Sequence, residues 1–235
     1  MIKAVFFDFY HTLGVWDQPL EDIIQKIADR YEFDVDWERF AEAEPNLYAD
    51  ASGSDPKEHT ILGTMQKIVE SYGEFIRQLG VEEHVDQITW ELLQSEHSLF
   101  AANNAILYPD TIPTLQMLKR DGYKLAIVSN WDTPLFPLLE RLGIAHLFDT
   151  ITASHDVRVR SAKPDAHIFE YTLKKIGVLA EETVHVGDTY QADIIGAEAV
   201  GIRPILIDRG NVHPGKWHET ITRLTELPEL LYRHQ

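Results

Sequence analysis

Polar side chains follow apolar, strand-like segments at several points along this chain of 235 residues. Asp8 comes at the end of a run of β-branched and aromatic residues, and Asp188 follows Val-His-Val-Gly. Ser129 and Asn130 follow Leu-Ala-Ile-Val, and Lys163 lies in a loop ahead of a predicted helix. A carboxylate at the end of a buried strand costs free energy unless a cation neutralises it. Asp8 therefore requires a partner, which Lys163 or a metal ion would supply.

Each of these side chains has an ordinary structural interpretation when it is taken alone. A serine or aspartate at a strand end commonly caps a helix or forms a turn, and most lysines are solvated surface residues. Together the residues indicate something more specific, because open parallel sheets bind ligands at the carboxyl ends of their strands. The pattern predicts that two acids, a hydroxyl group and a cation meet at one edge of a sheet.

Strands and helices alternate through the second half of the chain. The apolar patterns predict strands at residues 3–9, 124–130, 150–153, 183–188 and 203–208. They predict helices at residues 112–120, 135–142, 165–176 and 192–200, and a surface helix at 221–231. Such alternation is typical of parallel strands joined by right-handed helical crossovers, so the expected fold class is α/β.

Residues from about 17 to 100 have a different pattern, in which apolar residues recur at spacings of three and four. This periodicity indicates a series of amphipathic helices. Residues 49–56 are rich in serine, glycine, aspartate and proline and predict a loop between two of these helices. We therefore expect a helical domain over residues 15–104, inserted into a core domain formed by residues 1–14 and 105–235.

The composition limits the classes of partner. The formal net charge is −17, and such a surface repels nucleic acid phosphates and anionic lipid headgroups. No apolar stretch is long enough to span a membrane, and the first residues do not resemble a signal peptide. The chain has no cysteine, which fits a cytoplasmic protein. The expected partner is a small-molecule substrate, with no nucleic acid and no membrane, and an anionic substrate would require local cations.

Four motifs resemble those of a known family. They are Asp8-Phe-Tyr-His-Thr12, Ser129-Asn130 after an apolar run, Lys163-Pro164-Asp165, and Gly187-Asp188 followed by Asp193. In this order they resemble the motifs of the haloacid dehalogenase-like (HAD) hydrolase superfamily, and the helical insert resembles the helical C1 cap of its subfamily I. The resemblance implies a Rossmann-like, doubly wound parallel sheet as the core, with an inserted α-helical cap domain.

The resemblance also implies a role for each motif. Asp8 would attack an electrophile and form a covalent intermediate that water then hydrolyses. Lys163 would keep Asp8 ionised and neutralise charge on the transferred group. Ser129 and the backbone amide of Asn130 would hold oxygen atoms of that group, and Thr12 would orient the loop and the electrophile.

An Mg²⁺ ion is the cofactor that the resemblance implies. Its ligands would be Asp8, Asp188 and the carbonyl oxygen of Tyr10, since Mg²⁺ prefers oxygen ligands in octahedral geometry. Asp193 would be a further ligand or would orient one. Three carboxylates in one pocket favour a metal ion, because a single lysine does not balance their charge.

Tyr10 departs from the pattern of the phosphatases in this superfamily, which carry a general-acid aspartate two residues after the nucleophile. Tyrosine at this position resembles the 2-haloacid dehalogenases, which use no metal. The pair Asp188 and Asp193 opposes that interpretation, because metal-free halide displacement has little use for it. Phe169 also occupies a position where those enzymes carry a tyrosine. His11 is a candidate to replace the missing acid.

The sequence therefore predicts a HAD-like hydrolase, with Mg²⁺-dependent hydrolysis of a small phosphorylated compound through an aspartyl-phosphate on Asp8 as the leading hypothesis. One alternative is metal-independent 2-haloacid dehalogenation, and another is a weakly active binding or regulatory protein. Arg39 could correspond to the cap arginine of the dehalogenases, but its surroundings do not match, and we expect it at the surface. The cap carries three tryptophans, Trp16, Trp37 and Trp90.

Overall fold

A computed structural model describes residues 1–17, 19–47, 61–95, 105–131, 135–211 and 215–232. The predicted loop at residues 49–56 lies outside the described residues. The chain forms two compact units, one of Met1–Val15 with Ile106–Gln235 and the other of Trp16–Ala105. No helix among the described residues is both long and apolar enough to cross a bilayer.

The larger unit contains a six-stranded sheet in which every pair of neighbouring strands is parallel. Its strands are β1 (Ala4–Phe7), β4 (Lys124–Ser129), β5 (Thr150–Ala153), β6 (Thr183–Gly187), β7 (Arg203–Ile207) and β8 (Thr220–Ile221). Two further strands, β2 (Gly14–Trp16) and β3 (Ala105–Leu107), form a separate two-stranded sheet. The sequence predicted the first five strands of the large sheet to within two residues at each end.

The spatial order of the large sheet is β5-β4-β1-β6-β7-β8. The chain adds strands on one side of β1 and then on the other, so the order reverses at β1. Ligands of such doubly wound sheets bind beyond the carboxyl ends of the strands at this reversal. The predicted Rossmann-like α/β fold is confirmed, and its switch point lies directly before Asp8.

The central strands are buried, as expected for a parallel sheet that is covered on its faces. All four residues of β1 and all five of β6 are buried. The helices of this unit are α5 (Thr111–Arg120), α6 (Leu135–Arg141), α7 (Ala166–Ile176), α8 (Gly196–Ala199) and α9 (Leu227–Tyr232). Helix α7 packs on β4 and β5, where Ile168 and Phe169 join Phe6 and Val128 in one apolar cluster.

The described residues of the smaller unit from Leu20 to Gln94 form helices joined by short loops. The helices are α1 (Leu20–Tyr31), α2 (Trp37–Leu47), α3 (Ile61–Gln78) and α4 (Val85–Gln94). Their apolar faces form a common core whose aromatic members include Phe40 and Phe75, in edge contact at 5.7 Å between ring centroids. Arg39 is exposed and pairs with Asp36, which confirms the prediction for that residue. Trp16 is buried, whereas Trp37 and Trp90 are largely exposed.

The end of the chain differs from the prediction of a surface helix over residues 221–231. The segment begins with strand β8, followed by a 3-10 turn at Leu224–Glu226, and only α9 is helical. Leu227 and Leu231 of α9 are fully buried. The prediction was wrong because a two-residue strand gives no periodicity, and because buried leucines in a short helix share the spacing of a surface helix.

Candidate active site

Asp8 lies one residue beyond the carboxyl end of β1. Phe7 pairs in register with Ile127 on one side and Val186 on the other. The Asp8 amide donates a hydrogen bond to the Val186 carbonyl oxygen at 2.9 Å, so the ladder extends one residue past the strand. This bond fixes the backbone of a carboxylate that is 7% exposed.

Lys163 is the cation that the sequence analysis required. Its Nζ atom lies 2.6 Å from Asp8 Oδ1 and 2.6 Å from Asp193 Oδ1. The residue is 4% exposed, which is unusual for lysine and demands such pairing. Lys163 lies 155 positions after Asp8 in the sequence, so the fold brings two distant segments together.

The Asn130 side chain holds the backbone of Lys163. Asn130 Oδ1 accepts a hydrogen bond from the Lys163 amide at 2.7 Å, and Asn130 Nδ2 donates to the Lys163 carbonyl oxygen at 2.9 Å. The family resemblance implied a role only for the backbone amide of Asn130, as a group that holds substrate oxygens. The structure adds a second function for this residue, because its side chain positions the buried lysine.

Asp193 is the most heavily hydrogen-bonded of the three carboxylates. Besides Lys163, Oδ1 contacts His185 Nε2 at 2.8 Å, and Oδ2 accepts from the Thr189 amide at 3.0 Å. Asp193 lies in a π-helical turn, Tyr190–Ile195, which brings it back against β6. A Cβ atom on Gly187 would lie 2.1 Å from Asp193 Cγ, so this approach requires glycine at position 187.

The charges in this cluster shift one another's pKa values. Burial opposes the charge of Lys163, but Asp193 and Asp8 outweigh it and raise the lysine pKa above its usual value. Burial likewise opposes the charge of Asp193, but Lys163 and His185 outweigh it and lower the pKa of that carboxyl. Burial raises the pKa of Asp8, and Lys163 compensates only in part.

The positive charge that acts on Asp188 is that of Lys163, which already pairs with Asp8 and Asp193. Burial, followed by the negative charges of Asp8 and Asp193, raises the pKa of Asp188 well above the usual value, and Lys163 lowers it less. Lys163 is thus shared among three carboxylates, and the cluster carries excess negative charge when all three are ionised. The excess negative charge of this cluster would stabilise a further bound cation.

Asp8, Asp188 and Asp193 each offer a carboxylate oxygen, and these oxygen atoms lie within 4.8 Å of one another. Oxygen donors of this kind suit Mg²⁺. The two oxygens of Asp193 already accept hydrogen bonds from Lys163 and Thr189. The donor set therefore fits a metal that faces Asp8 and Asp188, with Asp193 holding Lys163 in place.

Thr12 and Ser129 lie beside these acids. Thr12 is fully buried, and its hydroxyl group donates to Asp188 Oδ1 at 3.5 Å. Ser129 is buried at the end of β4, and its hydroxyl group is close enough to Asp8 to lower the pKa of that carboxyl. The structure thus brings Asp8, Ser129, Lys163 and Asp188 to one edge of the sheet, as the sequence pattern predicted. Thr12, which only the family resemblance implied, lies beside them.

Tyr10 and His11 lie in the turn that follows Asp8. Their rings are tilted against each other, with centroids 4.1 Å apart. His11 has a φ of 56°, a left-handed conformation that is uncommon for residues other than glycine. Burial lowers the pKa of its imidazole. Phe169 lies in the core, where its ring is in edge contact with that of His185, with the ring centroids 5.2 Å apart. It is therefore a packing residue.

The comparisons with known proteins agree with this geometry. Residues 2–201 match the family model of the haloacid dehalogenase-like hydrolases. The chain belongs to the haloacid dehalogenase-like hydrolases.

Several relatives of this HAD hydrolase are characterised by name or by structure. It is 31% identical to a glyceraldehyde 3-phosphate phosphatase of Methanopyrus kandleri over 219 residues, which cover 89% of this chain and 85% of the relative. A HAD phosphatase structure from Thermococcus onnurineus is similar with a TM-score of 0.63, 26% identity and 98% of both chains covered. A 2-haloacid dehalogenase structure from Pseudomonas syringae has the same TM-score, 25% identity and full coverage of both chains.

Sequence reasoning missed two residues of this HAD hydrolase that touch the site. His185 is fully buried on β6 and contacts Asp193. Arg209, two residues after β7, donates to the Thr12 carbonyl oxygen at 2.8 Å. A histidine inside an otherwise apolar strand and an arginine just after a strand end were the available signals. Neither belongs to the four motifs.

Proposed function

We propose that this HAD hydrolase is an Mg²⁺-dependent phosphatase that acts on a small phosphorylated compound through a covalent intermediate on Asp8. One observation carries the proposal: Asp8, Asp188 and Asp193 offer oxygen atoms within 4.8 Å of one another, and the buried Lys163 pairs with only two of these carboxylates. A site with this excess of oxygen donors suits a divalent cation and a phosphoryl group that the cation helps to neutralise.

In the proposed reaction an Asp8 carboxylate oxygen attacks phosphorus, and the bond from phosphorus to the ester oxygen breaks. The departing oxygen takes up a proton and leaves as the alcohol. Water then attacks phosphorus, the bond to Asp8 breaks, and inorganic phosphate leaves with the carboxylate restored. The two steps use the same buried carboxylate first as nucleophile and then as leaving group.

The neighbouring side chains bind and orient the phosphoryl group. Lys163 offsets its charge beside Asp8. The Ser129 hydroxyl group and the Asn130 backbone amide donate to its oxygen atoms, and Thr12 orients the loop and, by its contact with Asp188, the metal-facing side of the site.

Asp8, Asp188 and the carbonyl oxygen of Tyr10 would hold the metal ion. When bound, Mg²⁺ supplies positive charge to the developing phosphoryl transition state and fixes its orientation. Asp193 keeps Lys163 directed at Asp8 through the contact of 2.6 Å with the ammonium group.

The name of the Methanopyrus kandleri relative makes glyceraldehyde 3-phosphate the first substrate to test.

Dehalogenation is the second candidate, and two observations favour it. Tyr10 stands where the phosphatases carry an aspartate, and the chain is similar to a 2-haloacid dehalogenase over its whole length. In a dehalogenase without a metal, the charge of Asp188 beside Asp8 would be offset only by Lys163, which already pairs with Asp8 and Asp193. We therefore rank it below the phosphatase.

The test is a panel of phosphate esters that includes glyceraldehyde 3-phosphate, assayed with Mg²⁺ and with EDTA, beside a 2-chloropropionate assay. The proposal expects phosphate release that depends on Mg²⁺ and no halide release. Halide release that EDTA does not affect would establish the dehalogenase. Mg²⁺ or phosphate binding without turnover of any compound would favour the binding or regulatory protein.

A further inference from the structure

Arg209 connects three segments of the larger unit. Its Nη2 and Nε atoms donate to the Thr12 carbonyl oxygen at 2.8 and 3.3 Å. Its Nη1 and Nη2 atoms donate to the two carboxylate oxygens of Asp110 at 3.1 and 3.0 Å. The guanidinium carbon lies 3.8 Å from the centre of the Tyr108 ring. These contacts hold the Arg209 side chain against the turn after Asp8 and against the segment before α5.

These contacts fix the guanidinium plane. The arginine side chain is 15% exposed and that of Asp110 is 11% exposed, so the pair is shielded from solvent. Asp110 Oδ2 also accepts from the Leu224 amide at 2.8 Å, which anchors the carboxylate from a fourth segment. A planar donor held by a bidentate carboxylate and a stacked ring has little freedom to turn.

The loop of residues 9–14, called here the nucleophile loop, depends on these outside contacts. Its Leu13 carbonyl oxygen accepts from the Thr111 hydroxyl group at 2.6 Å and from the Tyr108 amide at 3.1 Å. The preceding carbonyl, that of Thr12, accepts from Arg209. Two consecutive carbonyl groups of the loop are therefore satisfied by residues far away in sequence.

Thr12 links this network to the catalytic carboxylates. Its carbonyl oxygen binds Arg209, and its hydroxyl group lies 3.5 Å from Asp188 Oδ1. The pKa of Tyr108 is raised above its usual value, chiefly by burial. The positive charge of Arg209 lowers this pKa and the negative charge of Asp188 raises it, so the phenol lies within reach of both groups. A shift of the loop would change the distance from Thr12 to Asp188 and the direction of the Tyr10 carbonyl group.

We propose that Arg209 is a positioning residue of this active site, which holds the nucleophile loop through the Thr12 carbonyl oxygen and so sets the geometry of Asp8 and the metal-facing oxygens. The proposal rests on the proposed function for its kinetic readout. Its structural part, the immobilisation of the loop, is measurable without turnover.

The decisive variant is Arg209→Lys, which keeps the positive charge. A lysine ammonium group cannot reach Thr12 and both oxygens of Asp110 in one plane. The matched control is Arg203→Lys. Arg203 begins β7, the strand that precedes Arg209, and it donates to both oxygens of Glu219. Its side chain is similarly shielded, and neither of these hydrogen bonds involves the nucleophile loop. Asp110→Asn serves as a milder second variant if Arg209→Lys does not fold.

The measurements are steady-state hydrolysis of p-nitrophenyl phosphate with Mg²⁺ and hydrogen exchange of the nucleophile loop followed by mass spectrometry. We expect Arg209→Lys to lower kcat by at least about tenfold with KM changed by less than about threefold, because misplaced reacting groups lower the rate more than binding. Its peptide over residues 7–15 should exchange faster than in wild type, while a peptide over β6 should not. Arg203→Lys should neither lower kcat to this extent nor speed the exchange of the peptide over residues 7–15.

Equal kcat values for Arg209→Lys and Arg203→Lys would overturn the positioning role even if the loop exchanges faster. Unchanged exchange of the loop would overturn the holding contact even if kcat falls. If the wild type hydrolyses no phosphate ester, the proposed function fails, and the exchange data alone then decide whether Arg209 holds the loop.

Discussion

Lys163 Nζ lies 2.6 Å from Asp8 Oδ1, and the two side chains are only 2% and 10% exposed. Neither group would be stable in this position alone, because an uncompensated buried charge is expensive. The same ammonium group is also 2.6 Å from Asp193. Lys163 therefore stabilises the folded site, in addition to the role proposed for it in the reaction.

The first prediction concerns the removal of this cation. Lys163→Met keeps the length of the side chain but leaves the buried carboxylates without their partner. We expect turnover to be lost and the free energy of unfolding to fall by about 3–5 kcal/mol, the usual effect of breaking a buried ion pair. Urea denaturation followed by circular dichroism measures the change.

Lys119→Met is the matched control for this measurement. Lys119 contacts both oxygens of Asp149 at 3.0 and 2.8 Å, but the two side chains are 32% and 37% exposed. An exposed pair of this kind contributes about 0–1 kcal/mol. Equal losses of stability in the two variants would contradict the account of Lys163.

The second prediction concerns Asp188 and the metal. Mg²⁺ should raise the Tm of the wild type by mass action on the native state, and Asp188→Asn should weaken this increase. Without Mg²⁺ the same variant should have a Tm at or above that of wild type, because it removes a negative charge beside Asp8 and Asp193. Thermal unfolding with and without Mg²⁺ provides both comparisons.

Asp149→Asn controls for the loss of a carboxylate elsewhere in the same unit. Contacts with Lys119 and the Leu125 amide stabilise the ionised Asp149 carboxylate. Loss of the Asp149 carboxylate charge should lower Tm, but Mg²⁺ should raise the Tm of this variant as much as it raises that of wild type. An undiminished Mg²⁺ effect in Asp188→Asn would remove Asp188 from the metal site.

The third prediction concerns Tyr10. A leaving alkoxide needs a proton in the transition state, and a well-placed carboxylic acid contributes on the order of 10²–10⁴ in rate. A phenol, with an ordinary pKa of about 10, replaces it only in part. We expect measurable cleavage of p-nitrophenyl and acetyl phosphate and poor cleavage of simple alkyl phosphates. Tyr10→Asp should narrow the gap by raising the alkyl rates most.

The measurement is kcat/KM over phosphate esters of graded leaving-group pKa. Tyr10→Phe is the matched control, since it removes only the hydroxyl group and should leave the rates of aryl phosphates nearly unchanged. A wild-type rate that is independent of leaving-group pKa, with chemistry shown to be rate-limiting, would mean that another residue donates the proton. His11, whose ring is tilted against that of Tyr10, would then be the first residue to test.

The sequence was sufficient to predict five of the six strands of the large sheet and the meeting of the main polar residues. Strands buried on both faces appear as continuous apolar runs, and a polar residue at the end of such a run marks the carboxyl edge of the sheet. Parallel topology then requires these edges to coincide. That argument led to Asp8, Ser129 and Asp188, and the need for a counter-charge led to Lys163.

Contacts between distant segments could not be predicted in this way. Arg209 and Asp110 are 99 positions apart, and nothing local distinguishes their pairing from that of solvated charges. The hydrogen bonds of the Asn130 side chain to the Lys163 backbone were not predicted either, because they depend on how one loop lies against another. Strands of two or three residues, such as β2 and β8, have too few side chains to show alternation.

The most direct test of the central claim is to trap the intermediate on Asp8. The wild type and Asp8→Asn would be mixed with acetyl phosphate and Mg²⁺, quenched in acid within the first turnovers, digested with pepsin and analysed by mass spectrometry. The account predicts a peptide that contains Asp8 and has gained the mass of one phosphoryl group, in the wild type and in the presence of Mg²⁺ only. Phosphate release by the wild type with no such peptide, or wild-type turnover in Asp8→Asn with deamidation excluded, would contradict it.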